Sequence, residues 1–131
     1  MHQLLLFWRI RNFLSLFLSI EVGKAILEAS EAKRCGDEKR GTYAQKRVDC
    51  FTSQLNDSNP ILTEISDAMT MEGFCKHQME STESRGDVED AAAWKDKMEA
   101  ASERKQAGNS KLMECSARHN QLMRSIREAA E

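Results

Sequence analysis

Apolar residues recur every three or four positions along most of the chain, which is the spacing of one face of an α-helix. The first predicted helix covers residues 2–35 and carries its apolar residues most densely in its first half. Gly36 suits the left-handed backbone conformation that often ends a helix, and the charged residues 36–41 are expected to form a turn. The pattern therefore begins with one long, strongly apolar helix.

The middle of the chain is predicted to contain two helical segments separated by a break. Residues 42–56 and 61–84 each place apolar side chains on one face, and the polar run Asn56–Pro60 lies between them. Pro60 suits the first turn of a helix, where its missing N–H would have no partner anyway. The expected result is a second arm, residues 42–84, that bends at Pro60. Its apolar faces are formed by Ala44, Val48, Phe51 and Leu55, and by Ile61, Ile65, Ala68, Cys75 and Met79.

A third arm over residues 87–130 begins with acidic residues, which are favourable at the positive end of a helix dipole. From Ala91 onward the apolar residues follow a heptad repeat, the pattern typical of a coiled-coil seam. Gly108 falls within that seam, and the helix is expected to break or kink over residues 108–110. The two core positions of the repeat are Ala91, Met98, Lys105, Leu112, His119 and Ile126, and Trp94, Ala101, Gly108, Cys115, Leu122 and Ala129.

The larger apolar members of this repeat form the surface that we predict to mediate association. Lys105, Gly108 and His119 suit a buried seam poorly, so the expected contact is weak and reversible. We call the remaining six substantial members the C-terminal seam: Trp94, Met98, Leu112, Cys115, Leu122 and Ile126.

Together these elements predict an all-α protein. One Pro and six Gly leave few positions for the turns of an all-β fold. The expected architecture is an antiparallel three-arm helical bundle, or a helical hairpin with a long C-terminal coiled-coil-like helix and a hydrophobic N-terminal helix. The chain is divided into a hydrophobic N-terminal segment, residues 1–25, and a single helical domain, residues 26–131.

Large apolar residues are concentrated at the N-terminus. Of the 25 Leu, Ile, Val and Phe residues, fourteen lie within residues 1–27. Residues 28–131, the body of the chain, therefore have few large apolar side chains whose burial could offset the conformational entropy that the chain loses on folding. Either the N-terminal segment supplies the core, or the body completes its core with another chain, or the body stays partly unfolded.

Three interpretations of the N-terminal segment stay open: a cleaved secretory signal, a membrane or interfacial anchor, and a core helix at the centre of a bundle. Arg9 and Arg11 would be costly inside a bilayer, so residues 4–20 are unfavourable as a membrane-spanning helix. The two targeting interpretations together narrowly outweigh the third, so location is undecided, with a secretory or membrane-associated one favoured over the cytoplasm. The residues concerned are Leu4, Leu5, Leu6, Phe7, Phe13, Leu14, Leu16, Phe17, Leu18 and Ile20.

Candidate chemistry is sparse. The sequence contains no phosphate-binding glycine loop, nucleophile elbow or zinc-protease motif, so we expect no enzyme activity and no cofactor. The four cysteines form no C-x-x-C pair, which excludes the usual zinc-ribbon and thioredoxin patterns. Cys115 and His119 lie four residues apart, as two metal ligands on a helix can, but the rest of a metal site is not evident, and none is predicted.

The charge distribution argues against a nucleic-acid partner and for pairing between the helices of the chain. The net charge of −2 excludes a strongly basic protein, and we do not expect nucleic-acid binding. Residues 56–90 hold nine acidic and two basic residues, so they are expected to pair with the mildly basic neighbouring helices.

The sequence therefore predicts a non-catalytic helical interaction or scaffold protein, secreted or membrane-associated, that binds a protein partner or a second copy through an amphipathic helical hairpin. Membrane contact through residues 4–20 is included in this prediction, and no small-molecule substrate is inferred. One alternative is a soluble intracellular bundle whose N-terminal helix is core. A more remote alternative is a metal- or redox-active Cys/His protein.

Overall fold

The computed structural model describes residues 2–131, and the side chains of residues 5–131. Three helices make up nearly all of it: α1 (His2–Cys35), α2 (Glu38–Ser84) and α3 (Val88–Ala130). Over the range that the structure describes there is no strand. The predicted all-α class and the three-helix bundle are confirmed.

The two turns are built in the same way, from a Gly–Asp pair. Gly36 and Gly86 have positive φ angles of 74° and 78°. Asp37 and Asp87 each donate their backbone N–H to the carbonyl five residues earlier, at 2.9 and 3.0 Å, which closes the preceding helix. Their side chains accept the N–H three residues later, at 3.1 and 3.2 Å, which caps the next helix. Each pair therefore ends one helix and begins another.

Helix α2 is the element on which both other helices pack. α1 runs antiparallel to its N-terminal part, as the ion pair Arg47–Glu28 (2.6 Å) and the hydrogen bond from Arg11 to Thr63 show (3.1 Å). α3 runs antiparallel along α2 from the second turn. Among the described residues, no Cα of α1 lies within 8 Å of a Cα of α3. The expectation that the N-terminal helix could be the central element is therefore wrong: α2 has that place.

The three helices nevertheless share one cluster of buried side chains, made by Leu18 of α1, Cys50 and Phe51 of α2, and Met123 of α3. Burial raises the pKa of the Cys50 thiol, so the sulfur keeps its proton at neutral pH. That S–H lies 3.9 Å from the carbonyl oxygen of His119 and donates toward it. The N-terminal helix thus contributes to the core from one side. Partly buried side chains around the cluster are Leu14, Val22, Leu55 and Ile126.

The predicted break at Asn56–Pro60 is wrong, because α2 continues through it. Pro60 removes one N–H from the helix, an interruption that costs about 3 kcal/mol in a helix interior. The neighbouring Ser58 and Leu62 are buried, so packing of this stretch holds it helical in spite of Pro60.

The predicted interruption at residues 108–110 is also wrong, since α3 is helical throughout. Gly108 is buried, and a Cβ atom added there would lie only 2.6 Å from Cγ1 of Ile65. Glycine is present because the two helices approach closely at this level, not because the helix ends.

The expected charge pairing between the acidic part of α2 and α3 is confirmed at two sites. Arg104 binds Glu64 at 2.7 Å, and Lys105 binds Glu72 at 3.0 Å. The Arg104–Glu64 side chains are about half exposed, whereas the Lys105–Glu72 side chains are mostly buried. Lys105, a poor seam residue by sequence, is therefore accommodated by a partner carboxylate.

Replacing Glu72 by Gln is expected to lower the free energy of unfolding by about 1–2 kcal/mol, because Lys105 loses its counter-charge in a partly desolvated position. The matched substitution Glu64→Gln should cost no more than about 0.5 kcal/mol, since solvent screens the exposed pair. Urea unfolding followed by circular dichroism measures both. Equal effects of the two substitutions would show that the Lys105–Glu72 pair is hydrated like a surface pair.

Candidate interaction surface

The inner face of α1 is narrow and made mainly of small residues. Leu18, Ala25 and Ala32 recur every seven residues and are almost completely buried. Alanine allows two helix backbones to approach closely, so α1 needs only this one line of contacts to lie along α2. Most of the larger apolar residues of α1 are not used in that contact.

Those larger residues form a continuous exposed surface on the opposite side of α1. Phe13 and Leu27 are each 71% exposed, and the other members are about half exposed. At 100° per residue they cover about 140° of the helix circumference, centred roughly opposite Leu18. We call this surface the outer strip: Leu5, Leu6, Ile10, Phe13, Leu16, Phe17, Ile20 and Leu27.

The outer strip is unusually large for the surface of a single domain. Eight large side chains at about half exposure present roughly 800 Å² of apolar area, above the few hundred Å² of an ordinary surface patch. Trp8 and Ile26, also about half exposed, lie on one flank of the strip. An apolar surface of this size indicates a binding face.

The charges within and beside the strip are mostly basic. Arg9 is exposed on the strip itself, and Arg11 lies toward α2. The first acidic residue of the chain is Glu21, which forms an ion pair with Lys24 at 3.5 Å. The first twenty residues therefore combine apolar and cationic side chains without a compensating carboxylate.

The sequence-predicted N-terminal residues divide between the two faces of α1. Leu18 is buried, and Phe7 and Leu14 are half-buried toward α2. The side chain of Leu4 lies outside the described residues. All the others belong to the outer strip. Over residues 2–131, none of the helices combines the length and hydropathy that crossing a membrane would require.

The C-terminal seam faces α2 within the same chain along most of its length. Cys115 is buried, with its sulfur 3.7 Å from the Ser58 hydroxyl, and Trp94 packs edge-on against Phe74 with ring centroids 5.7 Å apart. Met98, Leu112 and Ile126 are half-buried. These residues are engaged in holding α3 on α2, which leaves the outer strip as the larger free apolar surface.

The heptad register does not hold to the end of α3. Beyond Cys115 the buried residues are His119 and Met123, each four positions on, whereas Leu122 is 46% exposed. A straight helix has 3.6 residues per turn, so positions that repeat every seven residues drift slowly around its surface. A second spacing of four residues, in place of three, brings the side chain back to the face that packs on α2. The assignment of Leu122 to the buried face is therefore wrong, and Met123 takes its place.

The middle of the α2–α3 contact holds one polar cluster. Ligand atoms of Asp57, Cys115 and His119 all lie within 4.8 Å of one another. Sequence spacing had paired Cys115 with His119 but could not include Asp57, which lies on the other helix in a stretch predicted to be a break. The second Cys–His pair is not brought together, since Cys75 is buried and His77 is exposed.

In comparisons with known proteins, the chain matches no protein-family model, no curated protein and no solved structure. Its function must therefore be inferred from the exposed surfaces and side-chain clusters described above.

Proposed function

We propose that this protein is a non-catalytic helical interaction protein that binds anionic membrane surfaces through the outer strip of α1. The observation that carries the proposal is the placement of eight large apolar side chains on the face of α1 directed away from α2. An amphipathic helix of this kind lies in the plane of the interface, with its apolar side among the acyl chains. The α2–α3 hairpin then stands on the aqueous side, available to a protein partner.

The basic residues favour an anionic lipid surface over a second copy of the chain. An antiparallel pair of outer strips centred near Leu16 would place Arg9 of one copy close to Lys24 of the other. A parallel pair would place the two Arg9 residues side by side. Both arrangements bring cationic side chains together, and Arg9, which has no carboxylate partner among the described ion pairs, would lose its hydration, which is unfavourable. At a membrane surface the Arg9 guanidinium reaches the lipid phosphates along its aliphatic stem.

The geometry of the bundle favours the same conclusion. The outer strip extends over about 33 Å of helix from Leu5 to Leu27. Helix α3 meets α1 only through side chains of the shared core cluster, on the inner side of α1, so nothing in the described chain covers the strip. A long, convex apolar helix face can lie flat in a bilayer interface. A helical peptide partner, by contrast, usually binds in an apolar groove, which this face does not form.

Replacing Phe13 and Ile20 together by Glu is expected to weaken binding to mixed phosphatidylcholine–phosphatidylserine vesicles about 30- to 1,000-fold, since each residue contributes about 1–2 kcal/mol of apolar burial. Vesicle flotation with increasing lipid measures the partition of the full chain. Binding of the unchanged protein should be stronger to the mixed vesicles than to pure phosphatidylcholine, and should fall with salt.

The matched control is the double substitution Val88→Glu and Met113→Glu. These two residues are exposed apolar residues of α3, away from the outer strip, and the charge change is the same. This control should bind vesicles like the unchanged protein. The proposal would be overturned if the unchanged protein did not bind vesicles but dimerised reversibly, and if Phe13→Glu and Ile20→Glu abolished the dimer. That result would show that a second copy covers the strip.

A further inference from the structure

Three side chains that metals favour converge between α2 and α3. Cys115 and His119 are one helical turn apart on α3, so they point to the same side. Asp57 of α2 meets them there, with its Oδ2 atom 3.0 Å from Nε2 of His119. The ligand atoms of the three residues lie within 4.8 Å of one another. Two helices thus bring a thiol, an imidazole and a carboxylate to one point.

Burial makes this cluster different from a chance group of surface residues. Cys115 is 1% exposed and His119 is 4% exposed. Within the part of the chain that the structure describes, Nδ1 of His119 is buried and has no hydrogen-bond partner. A buried polar atom without a partner is costly, so the protein does not fully satisfy this imidazole, and a metal at the cluster would replace the hydrogen bond between Nε2 and Asp57.

We infer that Asp57, Cys115 and His119 bind one Zn²⁺ ion, which links the middle of α2 to α3. Thiolate, imidazole and carboxylate are the ligands that Zn²⁺ accepts, whereas Mg²⁺ and Ca²⁺ prefer oxygen alone. Tetrahedral zinc bonds place neighbouring ligand atoms about 3.4 to 3.6 Å apart. The three donor atoms lie within 4.8 Å of one another, so shifts of about 1 Å would give that spacing, with water as the fourth ligand.

The surroundings are compatible with a bound cation. The Ser58 hydroxyl, 3.7 Å from the Cys115 sulfur, can donate to the thiolate and orient it. Arg118 lies 4.0 Å from Asp57, but its side chain is mostly exposed and can turn into solvent. Binding releases the Cys115 thiol proton to water as the zinc–sulfur bond forms, so affinity should rise with pH. This site is on a different part of the molecule from the outer strip and does not depend on its function.

The test is titration of the full, metal-free chain with Zn²⁺ in competition with a chromophoric chelator. One ion per chain is expected, and Cys115→Ser should weaken binding at least about 100-fold. Co²⁺ added instead should give the near-ultraviolet charge-transfer band of a thiolate ligand, and this band should disappear in Cys115→Ser. Zn²⁺ should also raise the melting temperature of the unchanged protein.

Cys75→Ser is the matched control, because Cys75 is equally buried in the same helix pair but outside the cluster. It should bind Zn²⁺ normally. The conservative change Asp57→Asn, at an exposed position, keeps the test informative even where Cys115→Ser does not fold, and it should weaken binding about 10- to 100-fold. The inference would be overturned if Asp57→Asn or Cys115→Ser bound Zn²⁺ as tightly as the unchanged protein. A Co²⁺ complex that lacks the thiolate band would overturn it as well.

Discussion

Replacing Met123 by Glu is expected to lower the free energy of unfolding by about 3 kcal/mol or more, whereas the same change at the adjacent Leu122 should cost less than about 1 kcal/mol. Met123 is 7% exposed and belongs to the cluster shared by all three helices, but Leu122 is 46% exposed. A carboxylate at position 123 would lose its hydration among Leu18, Cys50 and Phe51 without gaining a partner.

The comparison isolates burial from other effects. Glu, Met and Leu have similar helix propensities, and both substitutions add one negative charge to the same helical turn. Thermal and urea unfolding of the two variants, followed by circular dichroism, measure the difference. A larger loss for Leu122→Glu than for Met123→Glu would restore the uninterrupted heptad and contradict the register of the structure.

Replacing Gly108 by Ala is expected to destabilise the protein, although the same change in an open helix stabilises it. Alanine gains about 1 kcal/mol over glycine in helix propensity. At position 108, however, the new Cβ would lie 2.6 Å from Cγ1 of Ile65, a branched side chain that is only 1% exposed. Moving Ile65 costs about 1–3 kcal/mol, so we expect a net loss of up to about 2 kcal/mol.

Gly73→Ala supplies the control of opposite sign. Gly73 is exposed and helical in α2, and a Cβ there would meet no atom within 4 Å. The free energy of unfolding should therefore rise by about 0.5–1 kcal/mol. If urea unfolding showed both variants to be more stable than the unchanged protein, α2 and α3 would have to lie farther apart at Gly108 than described here.

The surface that the sequence predicted to be free for association differs from the apolar surface that the structure leaves exposed. The C-terminal seam was predicted to bind a partner, but most of its members contact α2. The N-terminal segment has enough large apolar residues for a core, yet of those whose side chains the structure describes only Leu18 is fully buried, and the outer strip remains exposed. The apolar-rich helix packs through its small residues, which is why composition alone could not identify the free surface.

Only part of the candidate zinc site can be predicted from the spacing of residues along one helix. The four-residue interval places Cys115 and His119 on one helix face, and that pairing is readable from the sequence. Asp57 joins them only because α2 continues through Pro60 and brings residue 57 level with residues 115 to 119. No local pattern predicts that alignment, since it depends on the register of two helices more than fifty residues apart in the chain.

By itself, the sequence determined the helical class, the three-arm order and the end of α1 at Gly36, because periodicity and glycine conformation act within a few residues. The turn predicted over residues 36–41 is shorter in the structure, since Asp37 caps α2 and the helix begins at Glu38. Only the tertiary structure decided that α2 is central, that Pro60 and Gly108 lie inside helices, and that Met123 replaces Leu122 in the core. These outcomes depend on side-chain packing between helices, which outweighs local propensities of about 1–3 kcal/mol per residue.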